Sequence, residues 1–223
     1  MNRLQTEMRI ILLPLDFFVP GMDEPVQPTS KPITIYSEVS SFWVKSFDSY
    51  KFLSTTALGN NQFNIKFILP SERHTGFNHL YYNEVVFDKV GNILSTSECE
   101  ISGGQNVLGD YDIQVSQPKP VNPADPNSKK HRIVTFCSTG PSPLESHLFA
   151  VGIDDQSHHT GSPLLTTKCC QLTKSGYYHT TEVSEVCIQA CCRWFFHFIF
   201  RTVHCLWTVS AIWKNNYNWY CRQ

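Results

Sequence analysis

One short run constrains this chain more than any other. Residues 63–69 read Phe-Asn-Ile-Lys-Phe-Ile-Leu. Phe63, Ile65, Phe67 and Leu69 fall on one side of an extended backbone, and Asn64 and Lys66 on the other. That period of two belongs to a strand, because a helix scatters the same residues around its axis. The run predicts a half-buried strand, with Phe63, Ile65, Phe67 and Leu69 sharing a packed layer with Trp43 and Lys66 facing water.

Other segments follow the same grammar. Ile33-Thr34-Ile35-Tyr36, Ser41-Phe42-Trp43-Val44, Tyr81–Phe87, Ile93-Leu94, Tyr111–Val115, Ile133–Cys137 and Leu148–Ile153 are short β-prone runs separated by Gly, Pro, Asn and Ser. Asp88-Lys89-Val90-Gly91-Asn92 predicts a hairpin turn, with Gly91 free to take positive φ. Ile10–Leu15 is expected to be an edge strand. Pro118–Asn127 holds four prolines, which suit an exposed loop or linker. The expected fold is mainly β, an antiparallel sandwich of Ig-like or jelly-roll-like type.

Composition changes sharply along the chain. Of nine cysteines, only Cys99 and Cys137 precede residue 169, and of five tryptophans only Trp43 lies outside the last thirty residues. Residues 1–168 carry 13 basic and 17 acidic side chains, and residues 169–223 carry 5 and 2. The split places a boundary near Gly161–Lys168. It divides a β-domain at 1–165 from an aromatic, Cys-rich, partly helical tail at 166–223.

Net charge is −1 and no broad basic field exists, which argues against a nucleic-acid partner. Asp16 interrupts the N-terminal apolar run and Glu7 sits among the basic residues before it, so it makes no convincing signal peptide. Arg193 and Arg201 cut the apolar stretch of the tail well short of the roughly 20 residues of a spanning helix. Its Trp, Phe, Arg and His content suits a membrane surface instead, through residues 183–213.

Catalytic signatures are absent. There is no Gly-x-Ser-x-Gly elbow, no phosphate loop and no dinucleotide fingerprint. No cofactor is implied. Zinc is the one metal the tail's thiolates and imidazoles would suit, and Cys187 and Cys191, one helical turn apart, with His179 and His197, are the candidate ligands. Asp154, Asp155, His158 and His159 have the residue types for metal-assisted hydrolysis. Lys129–Arg132 reads as a solvated basic entry to a strand.

These features predict a non-enzymatic interaction module that binds a protein partner and is held at a membrane surface by its tail. Two alternatives stand beside it: a metal-assisted hydrolase built on residues 154–159, and a zinc- or disulfide-stabilised tail with a regulatory role.

Overall fold

The computed structural model describes residues 6–13, 31–44, 50–107, 113–120, 130–139, 142–154 and 168–173, with Asn122, Ala124, Asp125 and Ser128 between them. Every regular element among these is a strand. The expectation of a mainly antiparallel β fold holds.

Strands β1 (Glu7–Leu12) and β2 (Ile33–Val39) form a two-stranded antiparallel sheet. Strands β3 (Lys51–Gly59), β4 (Gln62–Ser71), β5 (His79–Asp88) and β6 (Ile93–Glu100) form a second sheet in the order β3-β4-β5-β6. Its turns explain that simple order. Asn60 and Asn61 both take positive φ, 49° and 59°, between β3 and β4. Two left-handed residues make the kind of turn whose twist matches a hairpin, and asparagine tolerates that region. At the next turn the Asp88 carboxylate accepts the N–H groups of Val90 (2.9 Å) and Asn92 (2.8 Å), and Gly91 sits at φ 97°.

The third sheet contains β7 (Gln114–Val115), β8 (Lys119–Pro120), β9 (Lys130–Ser138), β10 (His147–Asp154) and β11 (Cys170–Gln171). Its path is β11-β10-β9-β7, and β8 also pairs with β9. Gln114 lies opposite Thr135 and Val115 opposite Val134, while Lys119 and Pro120 lie opposite His131 and Lys130. Strands β7 and β8 are therefore one edge strand interrupted at Ser116–Pro118. The prolines are admitted because they lie on an edge. The third sheet is thus four strands wide, like the second. Consecutive strands fill each sheet, so the long connections of a Greek-key sandwich are absent among the described residues.

Alternation decides how the sheets stack. Leu53, Ile68, Leu80 and Tyr82 of the second sheet pack against Val134, Phe136, Phe149, Val151 and Ile153 of the third. Ile101, Val107 and Ile113 from the connecting segment join the same layer. Fully burying each such side chain is worth about 1.5–3 kcal/mol. On the opposite face, Ile65, Phe67, Leu69 and Val85 pack against Ile35 and Tyr36 of β2, with Met8, Ile10, Leu12 and Ile33 alongside.

The second sheet is therefore covered on both faces. The expected alternation of β4 is present, but Lys66 does not face water. It is 5% exposed, and Asn64 and Glu84 are buried on the same face. Asn64 Nδ2 donates to Glu84 Oε1 at 2.5 Å. Trp43, expected in the core, is 65% exposed, and Val44 is buried in its place. The Ser41–Val44 run is not a strand. In the basic run His131 and Arg132 are buried rather than solvated, and Arg132 Nη2 donates to the Leu53 carbonyl at 3.0 Å. Residues 168–173 lie on the β-unit: Cys170 and Gln171 pair with β10, and the Leu172 N–H donates to the Leu148 carbonyl at 2.7 Å.

Burial on both faces yields a test. Phe67→Ala should cost about 3–5 kcal/mol. Lys66→Ala should cost about 1–3 kcal/mol, because it leaves buried polar neighbours desolvated. Lys89→Ala, in an exposed turn, should stay within about 0.5 kcal/mol of wild type. Urea midpoints measure all three. A Lys66→Ala midpoint matching that of Lys89→Ala would contradict a doubly covered sheet.

Candidate functional site

Among the described residues, a concentration of ionisable groups lies where β2, β4 and β6 end and β5 begins. Along the face that packs on β1–β2, apolar residues give way to Ser71, Tyr81, Glu98 and Glu100. Register brings these together, with Leu69 opposite Tyr81, Tyr81 opposite Glu100 and Asn83 opposite Glu98. The loop after β4 then turns Arg73 and His74 back over that end. Arg73 Nη2 donates to both Glu98 oxygens, at 3.0 and 2.9 Å, and His74 Nε2 lies 2.5 Å from Glu98 Oε1. The Arg73 guanidinium also sits 5.6 Å from the centre of the Tyr36 ring.

Beneath this partly exposed layer the contacts are buried. Tyr36 and Ser71 hydroxyls donate to Glu38 Oε2 at 2.8 and 2.9 Å. Burial pushes the Tyr36 phenol up, and Glu38 adds to that, so the phenol stays a neutral donor. Burial, with the charges of Glu100 and Glu98 behind it, also raises Tyr81. The cluster ties the β1–β2 hairpin to β4 and β6. The Arg73 guanidinium is already matched to Glu98.

Two smaller clusters contain the residue types of nucleophilic hydrolysis. In the first, the Ser102 hydroxyl donates to Glu100, accepts the Leu80 N–H at 3.3 Å and lies 3.3 Å from His79 Nδ1. His79 Nδ1 is also 3.0 Å from the Gln105 carbonyl oxygen. A carbonyl only accepts, so this nitrogen carries the hydrogen and cannot take a proton from Ser102. Ser102 is fully buried as well. The arrangement braces the 102–105 turn, where a β-carbon on Gly103 would meet Cys169 Cβ at 2.8 Å.

In the second, His147 Nε2 lies 2.7 Å from Glu145 Oε2 and its Nδ1 3.1 Å from Thr173 Oγ1. The Leu148 N–H donates to the same Thr173 oxygen at 3.1 Å. The Thr173 oxygen thus accepts a backbone N–H while facing His147 Nδ1, and His147 is fully buried. The contact clamps residues 168–173 onto β10.

The residues expected to act from the sequence are not gathered by the fold. Asp154 is buried at the end of β10, opposite His131. Asp155, His158, His159, His179, Cys187, Cys191 and His197 lie outside the described residues. Among the described residues no group of three His, Cys, Asp or Glu is placed to hold a metal, and Cys99, Cys137, Cys169 and Cys170 form no disulfide. Burial pushes Cys169 up to about 12 and also raises Cys99 and Cys170, the opposite of what activates a thiol nucleophile at these three positions. Among the described residues no helix is long and apolar enough to cross a membrane. Sequence reasoning missed Arg73, His74 and Glu98, because only strand register brings residues so far apart together.

The family model for the dipeptidyl peptidase IV (DPP IV) N-terminal region matches residues 1–187. The chain belongs to that family. Dipeptidyl peptidase 8 from Homo sapiens is 26% identical to it over 208 residues, and dipeptidyl peptidase 8 from Mus musculus 25% over 208. Each match takes in 84% of this chain and 21% of the relative, so the chain spans about a fifth of those proteins' length. Membership overturns the expected free-standing interaction module held at a membrane. It equally replaces the two alternatives, the metal-assisted hydrolase at 154–159 and the zinc- or disulfide-stabilised regulatory tail.

The buried His131 gives a pH test. Burial, then Lys119, lowers its pKa below the usual 6.5, against the pull of Asp154. A folded pKa below the unfolded one means that the unfolded chain takes up the proton first as pH falls. Stability should be complete above the unfolded pKa and decline below it. The melting temperature should therefore fall between about pH 7.5 and 5.5, and His131→Asn should flatten that slope. An unchanged or steeper slope in the variant would contradict the assignment.

Proposed function

We propose that this chain supplies propeller-type blades of a dipeptidyl-peptidase-type protein and does not itself carry the peptidase centre. The observation that carries this reading is the pair of consecutive four-strand-wide antiparallel meanders stacked face to face. A propeller is built from four-stranded sheets repeated in sequence order around an axis, each packed on the next. On this reading β1–β2 is the end of one blade, β3–β6 a second, and β7–β11 a third.

The chemistry of the clusters supports a scaffold role. Ser102 and Thr173 are held in internal hydrogen bonds, and the Arg73–Glu98 cluster joins strands. The partner of this scaffold is then the rest of a longer peptidase-type protein. Because the clamp at Thr173 belongs to the β-unit, the aromatic tail is proposed to begin beyond it.

Two measurements test the proposal. Cross-strand nuclear Overhauser contacts should follow the order β3-β4-β5-β6 and β7-β9-β10-β11. The purified chain should release no dipeptide from a fluorogenic dipeptidyl substrate. Contacts skipping between the sheets, or turnover abolished by Ser102→Ala or Thr173→Val, would overturn it.

A further inference from the structure

Strand β6 ends the second sheet, and among the described residues it pairs with β5 alone. The chain around it, residues 88–107, is described without a break. The Ile101 N–H donates to the Leu80 carbonyl at 2.8 Å. Backbone groups alternate along an antiparallel ladder, so the N–H groups of Thr96, Glu98 and Glu100 point away from β5. None of the three meets an acceptor among the described residues.

Devices that commonly blunt such an edge are missing here. Ile93–Glu100 contains no proline and no lysine. Its register shifts once, near its start, and Ser95–Glu100 runs regularly along β5. Its charges are Glu98 and Glu100, and both are engaged by their own chain. Glu98 holds Arg73 and His74, and Glu100 accepts from the Ser102 hydroxyl and the Gly104 N–H. The other edge of the sheet differs, since β3 begins with Lys51 and shifts register twice. The first half of β6 is also open on both faces. Thr96 lies opposite Val85, on the hairpin side, and Ser95 opposite Val86, on the side of the third sheet. Both are exposed, as are Ile93 (40%) and Leu94 (48%). Neither neighbouring sheet overhangs the strand there, which leaves room for a second body in the plane of the sheet.

We infer that β6 pairs antiparallel with β6 of a second copy of this chain, joining the two four-stranded sheets into one. The dyad stands perpendicular to the sheet near Ser95 and Thr96. Charge favours this occupant. The strand is acidic at one end, at Glu98 and Glu100, while the turn before its other end carries the exposed Lys89. Antiparallel pairing about the dyad sets each acidic end beside the other copy's Lys89, twice per interface. Parallel pairing would instead set Glu98 and Glu100 against their own copies. The exposed Ile93 and Leu94 gain cover from the added strand. An edge of this length buries less than the roughly 1,000 Å² of a stable interface, so the pair is weak and forms in the micromolar range. Pairing at β6 does not depend on the propeller reading, which stands whether or not β6 associates.

Sedimentation of the whole 223-residue chain over about 1–300 μM, with hydrogen exchange of the β6 amides, tests this. Mass should rise from one copy toward two and no further. The Thr96 and Glu98 amides should slow at least about tenfold across that range. Thr96→Pro removes one outward N–H, a change that an edge strand tolerates, and should raise the dissociation constant at least about tenfold. The inward amides of Ser97 and Cys99 should stay as protected as in wild type, which separates lost pairing from lost folding. Lys89→Glu should raise the constant about fivefold at low salt. A single copy at every concentration would overturn the inference. A constant unmoved by both variants would do so too, assigning association to another surface such as the aromatic tail. Protection of Thr96 and Glu98 that does not change on dilution would assign the edge to the chain's own tail. Mass growing beyond two copies would mean head-to-tail pairing of β6 with β3, and would equally contradict a closed pair.

Discussion

The fold depends on one apolar layer, the one shared by the second and third sheets. Ile68, Leu80 and Tyr82 on one side and Val134, Phe136, Phe149, Val151 and Ile153 on the other leave almost no surface exposed. Phe136 and Phe149 stack at 5.9 Å across neighbouring strands and stiffen the third sheet's half of it. Neither sheet could hold its register alone, since a slip of one residue would turn these side chains outward. The hydrophobic term supplies the drive, and alternation supplies the direction.

Polar groups act at the borders of that layer. Arg132 reaches across from the third sheet to the Leu53 carbonyl of the second. Asn78 and Asn106 join the two sheets at one end: Asn78 Nδ2 donates to the Val107 carbonyl at 3.1 Å, and the Ser138 hydroxyl to the Asn106 carbonyl at 2.6 Å. The Arg73–Glu98 cluster closes the opposite face over the hairpin. Such contacts add modestly to stability but fix one arrangement of sheets, because a buried polar group without its partner is costly. That role also accounts for serine, threonine and histidine meeting carboxylates here without forming a catalytic centre.

Much of this was legible in the sequence. Strands β2, β4, β5, β9 and β10 announced themselves by alternation or apolar runs, and Asp88–Asn92 by its turn chemistry. Strand β3 did not: Leu53 is its one buried residue, so Lys51–Gly59 carries little apolar period. The face of Lys66 was misread because alternation distinguishes two faces but cannot say whether a second sheet covers the polar one. Trp43 was misread because aromatic size suggests burial, while its place between two sheets decides otherwise. The order of strands, and with it the difference between a sandwich and a series of stacked meanders, resides in contacts between segments and leaves no local pattern. The candidate cluster was illegible for the same reason. Arg73 and Glu98 meet through the register of β4, β5 and β6, and no spacing motif records that.

The shared layer couples the second and third sheets into one cooperative unit. Native-state hydrogen exchange under increasing denaturant measures it most directly. The buried amides of β4 and β5 should open with the same free energy and the same denaturant dependence as those of β9 and β10, and Phe136→Ala should lower both together. Separate opening of β9–β10, with β4–β5 unaffected by Phe136→Ala, would contradict a shared core.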